Sequence, residues 1–312
     1  MRAIQYSLYG DCDVIKVVEN VPEPLPQKDQ VLVDIHAAGI NPIDYKVRSG
    51  YFKEMMPLQF PVIPGGDFSG IVKKIGDGVS AFKPGDQVYG FAFVLAGGSG
   101  SFAQAALSNV NNTALKPKNA DYMQAAALPL TGASALQGLE DHLQLKKGQK
   151  ILIHGGAGGI GSLAIQMAKL KGAYVATTVS EKNIRFAKEL GADLIIDHQH
   201  QLFEAIVKDY DAVFDTVGGD ISNKSILVLK KGGILVSMMG QPDKDEAKKH
   251  GITVIGQMTA TDTKHLNRLT GLFESGKIRV SIDKVFSLEQ AKDAFKYAEQ
   301  GHPREKVVLK IK

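Results

Sequence analysis

Between the apolar run Lys150 to His154 (KILIH) and a helical pattern from Ser162 to Lys171 lies the segment Gly156-Ala157-Gly158-Gly159-Ile160-Gly161, spaced G-x-G-x-x-G. Such a segment needs glycine where the backbone turns tightly, where it approaches a pyrophosphate with no side chain between, and where helix packs closely on strand. The helix that follows opens with unpaired amide donors and the positive end of its dipole, both of which attract phosphate. Ile160, Leu163, Ala164, Met167 and Ala168 recur at i, i+3, i+4, i+7 and i+8, so one face of this helix lies on a sheet. Taken alone, a glycine-rich turn serves packing as readily as ligand binding, and its surroundings must decide between them.

Those surroundings are regular. Tyr174 to Val179, Leu194 to Asp197, Ala212 to Asp215 and Ile234 to Ser237 read as short buried strands, with helical stretches between them such as Glu181 to Leu190. Strands joined by helices need cover on both faces, which predicts an α/β fold with a doubly wound parallel sheet over 119–261. In that setting Gly156 to Gly161 form the cradle of a dinucleotide. Residues 1–118 have a different texture: Pro and Gly separate short alternating runs, Gln30 to Ala38, Phe68 to Ile75 and Gln87 to Phe91, as in a strand-rich, barrel-like unit. After about residue 262 come two amphipathic helical segments and a strand, Lys306 to Ile311, which has to pair somewhere; 262–312 is expected to return to the first domain. The chain's 312 residues, 44% hydrophobic and 22% charged, suffice for two such globular domains. The Gly/Ser-rich run Ala96 to Ser101 is the most flexible candidate loop.

Charge and cysteine content exclude several classes. Lys and Arg number 37 against 33 Asp and Glu, and the densest basic stretches, Lys146-Lys147 and Lys248-Lys249-His250, are short with acids nearby. This is a solvated surface rather than a nucleic-acid footprint, so no nucleic-acid partner is expected. The one cysteine, Cys12, can build neither an intrachain disulfide nor a multi-thiolate metal site, and it suits a reducing compartment. The segment MRAIQYSLYGDCD lacks the apolar core of a signal peptide, and no run approaches the roughly 18 apolar residues of a membrane span. A cytoplasmic protein without a membrane partner is expected.

The end of the second strand of the alternating region decides between the two nicotinamide cofactors, since an acid there holds the ribose 2′-hydroxyl and a cation or donor accepts a 2′-phosphate. Thr178 stands where that strand should finish, followed by Val179-Ser180-Glu181-Lys182. Glu181 has the spacing of a ribose acid but can equally begin the next helix. Ser180 and Lys182, joined by His198 from the next strand end, form a phosphate clamp and favour NADPH. An ordinary solvated Lys and His is the plain alternative.

Further segments carry a resemblance. Ala37-Ala38-Gly39-Ile40-Asn41-Pro42-Ile43-Asp44-Tyr45-Lys46-Val47-Arg48-Ser49-Gly50, Pro64-Gly65-Gly66-Asp67-Phe68-Ser69-Gly70, Gly85-Asp86-Gln87-Val88-Tyr89-Gly90, Ala126-Ala127-Leu128-Pro129-Leu130-Thr131 and Phe214-Asp215-Thr216-Val217-Gly218-Gly219 resemble the medium-chain dehydrogenase/reductase superfamily. Within it, the chain is similar to the zinc-independent quinone oxidoreductases and plant-type enone/alkenal reductases, along essentially its whole length. The resemblance implies a GroES-like β-barrel domain, a Rossmann domain inserted before the last strands, and an active-site cleft between them. Where zinc members of the superfamily carry Cys, His and a second Cys, this chain has Asn41, Gly66 and Thr131. Zinc prefers thiolate, imidazole or carboxylate, so no metal site is expected; Asp67 is expected to serve a structural hydrogen bond.

The expected reaction is hydride transfer from NADPH to an electron-poor acceptor, a quinone or an enone, whose anionic product needs only hydrogen-bond donors and a proton from water or Tyr. The resemblance places Asn41 as a donor to substrate oxygen or nicotinamide ribose and Tyr45 as a polar wall or proton donor. Asn41 as a simple cap of a helix Pro42 to Arg48 is the alternative. Asp44 and Lys46 are expected as helix-surface charges. Thr131 is assigned to the nicotinamide end, Val217, Met239 and Gly240 to the cofactor at later strand ends, and Arg304 and Lys306 to closing over it. Tyr51, Phe52, Phe91 and Phe93 are candidates for an apolar substrate wall or for plain core. A homodimer paired through the edge strand Gly251 to Met258 is implied as well. The rival from another class is a non-catalytic NADPH-binding sensor or crystallin-like protein on the same scaffold.

Overall fold

The computed structural model of the protein describes residues 1–55, 57–300 and 303–312. The chain divides into two compact units, Met1–Ala133 with Thr261–Gly276 and Val280–Lys312, and Ser134–Ala260 with Lys277–Arg279. The helix Tyr122–Ala126 belongs to the first of these. It lies against the strands Gln30–Ile40 and Asp67–Ile75, where the Ser69 hydroxyl donates to the Tyr122 carbonyl at 2.6 Å.

In the first unit a seven-stranded, mainly antiparallel sheet is built around the long strand Gln30–Ile40. Asp67–Ile75 and Ala105–Asn109 pair with it antiparallel, and so does the terminal strand Lys306–Lys310, with Val308 opposite Gly39 and Leu309 opposite Ala38. Alternation along these strands buries Val31, Val33, Ile35, Phe68, Val88 and Leu309 in one core, which the helix Ala291–Gln300 covers with Phe295. Two expectations fail here. Asp44 is no surface charge: it is 1% exposed, because the short helix Pro42–Arg48 turns it inward. The run Ala96 to Ser101 is tied down by backbone bonds from Gly98 to Phe93, Gly100 to Ala92 and Ser101 to Gly65; Gly98 and Gly100 are there because the chain passes so close to Ala92 and Ile63, and Gly97 because it turns at positive φ.

The second unit has six parallel strands in the spatial order Leu194–Asp197, Tyr174–Val179, Lys150–His154, Tyr210–Asp215, Leu229–Ser237, Thr253–Gly256. Numbered along this unit that is 3-2-1-4-5-6, the doubly wound dinucleotide-binding order, whose switch point lies between the first and fourth strands. Leu152, Ala176, Ile196, Val213 and Leu235 form the core under its helices. The helix Gly159–Leu170 buries Leu163, Ala164, Met167 and Ala168 as its spacing predicts, together with Ile165, while Ile160 stays half-buried at its start. Among the described residues no helix is long and apolar enough to cross a membrane.

Candidate functional site

At the carboxyl end of Lys150–His154 the chain turns through Gly155, in the left-handed region at φ 73°, and enters the helix at Gly158. The three glycines of the motif have separate causes. A Cβ at Gly156 would stand 2.0 Å from the Thr177 hydroxyl, and one at Gly161 would stand 2.2 Å from the Gly155 carbonyl oxygen, so the fold itself demands both. Gly158 is different. Its φ of −78° suits any residue, and an added Cβ would meet only the Gly155 carbonyl oxygen, at an ordinary 3.4 Å. Neither left-handed backbone geometry nor packing requires a glycine here. Ala157, Gly159 and Ile160 complete the loop between them.

The neighbouring strand ends frame this loop. Asp215 accepts the amides of Val217 at 2.9 Å and Gly218 at 3.0 Å and the hydroxyl of Ser222, which folds a tight turn with Gly218 and Gly219 at positive φ. The Thr216 hydroxyl donates to the His154 carbonyl at 2.7 Å, drawing that turn toward the glycine loop. Val217, 44% exposed, and Met239, 47% exposed, thus offer apolar surface at adjacent strand ends, with Gly240 beyond. Below the loop, His154 is fully buried between the hydroxyls of Thr178 at 3.1 Å and Ser225 at 3.0 Å, and burial pushes its pKa down to about 4.

Ser180 and His198 follow the ends of two paired strands, Tyr174–Val179 and Leu194–Asp197, where Asp197 pairs with Val179 and the His198 amide donates to the Val179 carbonyl at 3.1 Å, and Lys182 lies in the turn after Ser180. Lys182 and His198 are exposed. The strand runs through Val179, one residue past Thr178, and Glu181 opens a short helical turn, Glu181–Asn183. Asp197 is committed locally: it accepts the Gln199 amide at 3.1 Å and the His200 imidazole at 2.6 Å, which lowers its own pKa and raises that of His200.

The first unit holds the other group of assigned residues. Asn41 is the residue before the helix Pro42–Arg48, in extended conformation and 1% exposed. Its backbone amide donates to the Asp44 carboxylate at 2.8 Å, but its side chain does not cap the helix: Nδ2 donates to Asp67 at 2.9 Å and Oδ1 accepts from the Lys306 ammonium at 2.6 Å. Lys306 also donates to Asp67 at 3.1 Å and to the Ile40 carbonyl at 3.2 Å. Its three hydrogens are therefore engaged and it is 2% exposed, which redirects the assignment that had it close over a cofactor. Asp67 accepts a third bond from the Leu130 amide at 2.9 Å; burial pushes its carboxyl pKa up, against the pull of Lys306, Asn41 and that amide. The Asp44 carboxyl, wholly buried and with one oxygen unpartnered among the described residues, is pushed up to about 7. The capping-box spacing Asn41-Pro42-Ile43-Asp44 was the signal that could have placed it.

Tyr45 is half-buried, with its ring against the core and its phenol pKa raised by burial. Thr131 is 5% exposed, its hydroxyl donating to the Ala127 carbonyl at 2.9 Å. A Cβ at Gly66 would stand 2.1 Å from the ring of Phe91. Phe91 and Phe93 pack with Val47 in a small apolar cluster flanked by Phe52, Leu58 and Leu130, while Tyr51 is 74% exposed.

Comparison with known proteins agrees with this architecture. Residues 27–118 match the family model described as alcohol dehydrogenase GroES-like domain, and residues 190–309 match that described as zinc-binding dehydrogenase. A 2-methylene-furan-3-one reductase from Solanum lycopersicum is 40% identical over 99% of this chain and 79% of its own length. An NADPH-dependent alkenal/one oxidoreductase of Arabidopsis thaliana is 38% identical with the same coverage. The solved structure of a quinone oxidoreductase from Coxiella burnetii superposes with a TM-score of 0.90 at 35% identity, covering 100% of this chain and 99% of the other. With its GroES-like and Rossmann units, the chain belongs to the medium-chain dehydrogenase/reductase family, in the group of the quinone and alkenal/one oxidoreductases.

Proposed function

We propose that this protein is an NADPH-dependent oxidoreductase that transfers a hydride to quinones or α,β-unsaturated carbonyls without zinc. The observation that carries the reading is the Asn41–Asp67–Lys306 cluster, where an amide and an ammonium surround the carboxylate beside Gly66. A zinc ion does not fit these residues. Asn41 and Thr131 offer no thiolate, the Phe91 ring fills the space a side chain at Gly66 would need, and Asp67 already neutralises an ammonium. Such a site cannot stabilise an alkoxide by coordination, but it can stabilise the oxygen anion of an enolate or hydroquinone through a hydrogen-bond donor.

NADPH, when bound, supplies the hydride. The protein's part is to hold and orient. The loop Gly156–Gly161 presents backbone amides to the pyrophosphate, and Gly158 leaves it room. Ser180, Lys182 and His198 hold the 2′-phosphate; Val217, Met239 and Gly240 line the nucleotide; Thr131 serves its nicotinamide end. Asn41 donates one amide hydrogen to Asp67 and turns the other to an acceptor oxygen, and Tyr45 or water returns the proton. Phe91, Phe93 and Phe52 supply apolar surface for a flat acceptor. The subunits pair through the edge strand Thr253–Gly256, and the single buried thiol suits a cytoplasmic setting.

The test is NADPH consumption with 1,4-benzoquinone, 9,10-phenanthrenequinone and a short alkenal, run beside a binding titration. Turnover of one or more acceptors is expected; tight NADPH binding with no turnover on any of them would leave a sensor or crystallin-like protein. Lys182→Ala is expected to weaken NADPH on the order of tenfold to a hundredfold, from the loss of a charge-assisted bond, and NADH by no more than about twofold. Equal losses on both would remove the clamp.

A further inference from the structure

The carboxamide of Asn41 lies between two groups of opposite and fixed hydrogen-bonding character. Lys306 can only donate, and it reaches Oδ1 at 2.6 Å; the Asp67 carboxylate only accepts, and it takes Nδ2 at 2.9 Å. In the flipped orientation the amide hydrogens would face an ammonium and the amide oxygen a carboxylate, losing both bonds and adding two repulsions. The pair also holds itself together, Nζ to Oδ2 at 3.1 Å, and both side chains are buried, at 3% and 0% exposure. The Leu130 amide on Asp67 and the Ile40 carbonyl on Lys306 pin the two ends to backbone.

We infer that Lys306 and Asp67 are positioning residues that lock the Asn41 amide in one orientation, so that its one remaining N–H is always a donor and the position admits only an acceptor oxygen. The inference rests on the proposed hydride transfer for its purpose, though not for its geometry. A freely rotating amide would present either a donor or an acceptor and would have to reorganise as negative charge builds on the acceptor oxygen; a locked donor avoids that cost. It also explains why a lysine at the end of the chain is buried against the strand that leads into Asn41. Its role is exerted through Asn41 rather than on the cofactor.

Two measurements separate this inference from the functional reading. The first needs no turnover: selective ¹⁵N-asparagine labelling, with Asn41→Ala identifying the signal, follows the two side-chain amide hydrogens of Asn41. In the wild type the hydrogen bonded to Asp67 should be well dispersed and slow to exchange; in Lys306→Met the pair should move toward free-amide shifts and exchange at least tenfold faster. An unchanged signal overturns the lock.

The second is a kinetic cycle. Lys306→Met should lower kcat about tenfold to a hundredfold, less than outright loss of a donor, with KM for NADPH within about twofold. In an Asn41→Ala background the same change should cost less than about twofold, because the residue it acts through is gone. Equal losses in both backgrounds, or a loss confined to KM for NADPH, overturn the inference. If Lys306→Met does not fold, Lys306→Met with Asp67→Asn removes both buried charges together and is read in the same two ways. An amide that responds as expected in a protein with no turnover would leave the lock standing and the hydride reading refuted.

Discussion

Asp44 shows how much one inward turn of a short helix changes a side chain's chemistry. Burial, aided by the nearby charge of Asp67 and opposed by the Asn41 amide and Lys306, carries its carboxyl from 3.8 up to about 7. Between those values the folded chain keeps a proton that the unfolded chain gives up, so this group's contribution to stability is full below the unfolded pKa and is lost as the pH rises through the folded one. Asp44→Asn keeps an oxygen for the Asn41 amide and cannot ionise. The variant should gain stability relative to wild type between pH 4 and pH 8, visible as a urea midpoint that falls less over that range. Parallel midpoints would show that Asp44 is ionised throughout. The spacing Asn41-Pro42-Ile43-Asp44 was the one local sign of this inward turn, since position along so short a helix does not by itself say which side faces the core. The roles of Asn41 and Lys306 were only half legible: the resemblance drew attention to Asn41, but the partners of its amide lie 26 and 265 residues away along the chain.

Among the elements, the glycine loop and its helix were the most legible, because periodicity and glycine spacing are local properties and the helix Gly159–Leu170 needs nothing distant to define its buried face. What the spacing did not reveal is that its glycines answer to different demands, and substitution should separate them. Gly161→Ala forces a methyl toward the Gly155 carbonyl and should cost about 1–3 kcal/mol of stability, as overpacking does. Gly158→Ala should leave stability within about 0.5 kcal/mol while weakening NADPH binding, since its methyl has room until a pyrophosphate lies there. Urea melts beside a fluorescence titration of NADPH check both; undiminished binding by Gly158→Ala would break the link between that glycine and the phosphates. The loop 96–101 misled for the converse reason: glycine marks close approach as well as freedom, and only tertiary contacts tell which.

For the molecule as a whole, alternation of strand and helix foretold the parallel sheet, and the requirement that a last strand find a partner foretold its return to Gln30–Ile40. Assembly is the remaining expectation at this scale. The strand Thr253–Gly256 ends the six-stranded sheet, paired among the described residues only with Leu229–Ser237. Pairing two copies there removes an open edge. Light scattering on the eluting protein should give twice 33.6 kDa, and Met258→Asp, at a residue 82% exposed just past that edge, should shift it toward a single copy. A wild type that elutes at the single mass would refute the pairing.

The antiparallel pairing of Lys306–Lys310 with Gln30–Ile40 also bears on how the protein is made. Lys306–Lys310 complete a sheet whose strand Gln30–Ile40 is made much earlier, whereas the stretch Ser134–Ala260 is synthesised before them. On a nascent chain the nucleotide-binding unit can therefore fold while Asp67 still lacks its counter-ion. A nascent chain halted before Lys306 emerges is expected to take up dinucleotide while turning over acceptor poorly.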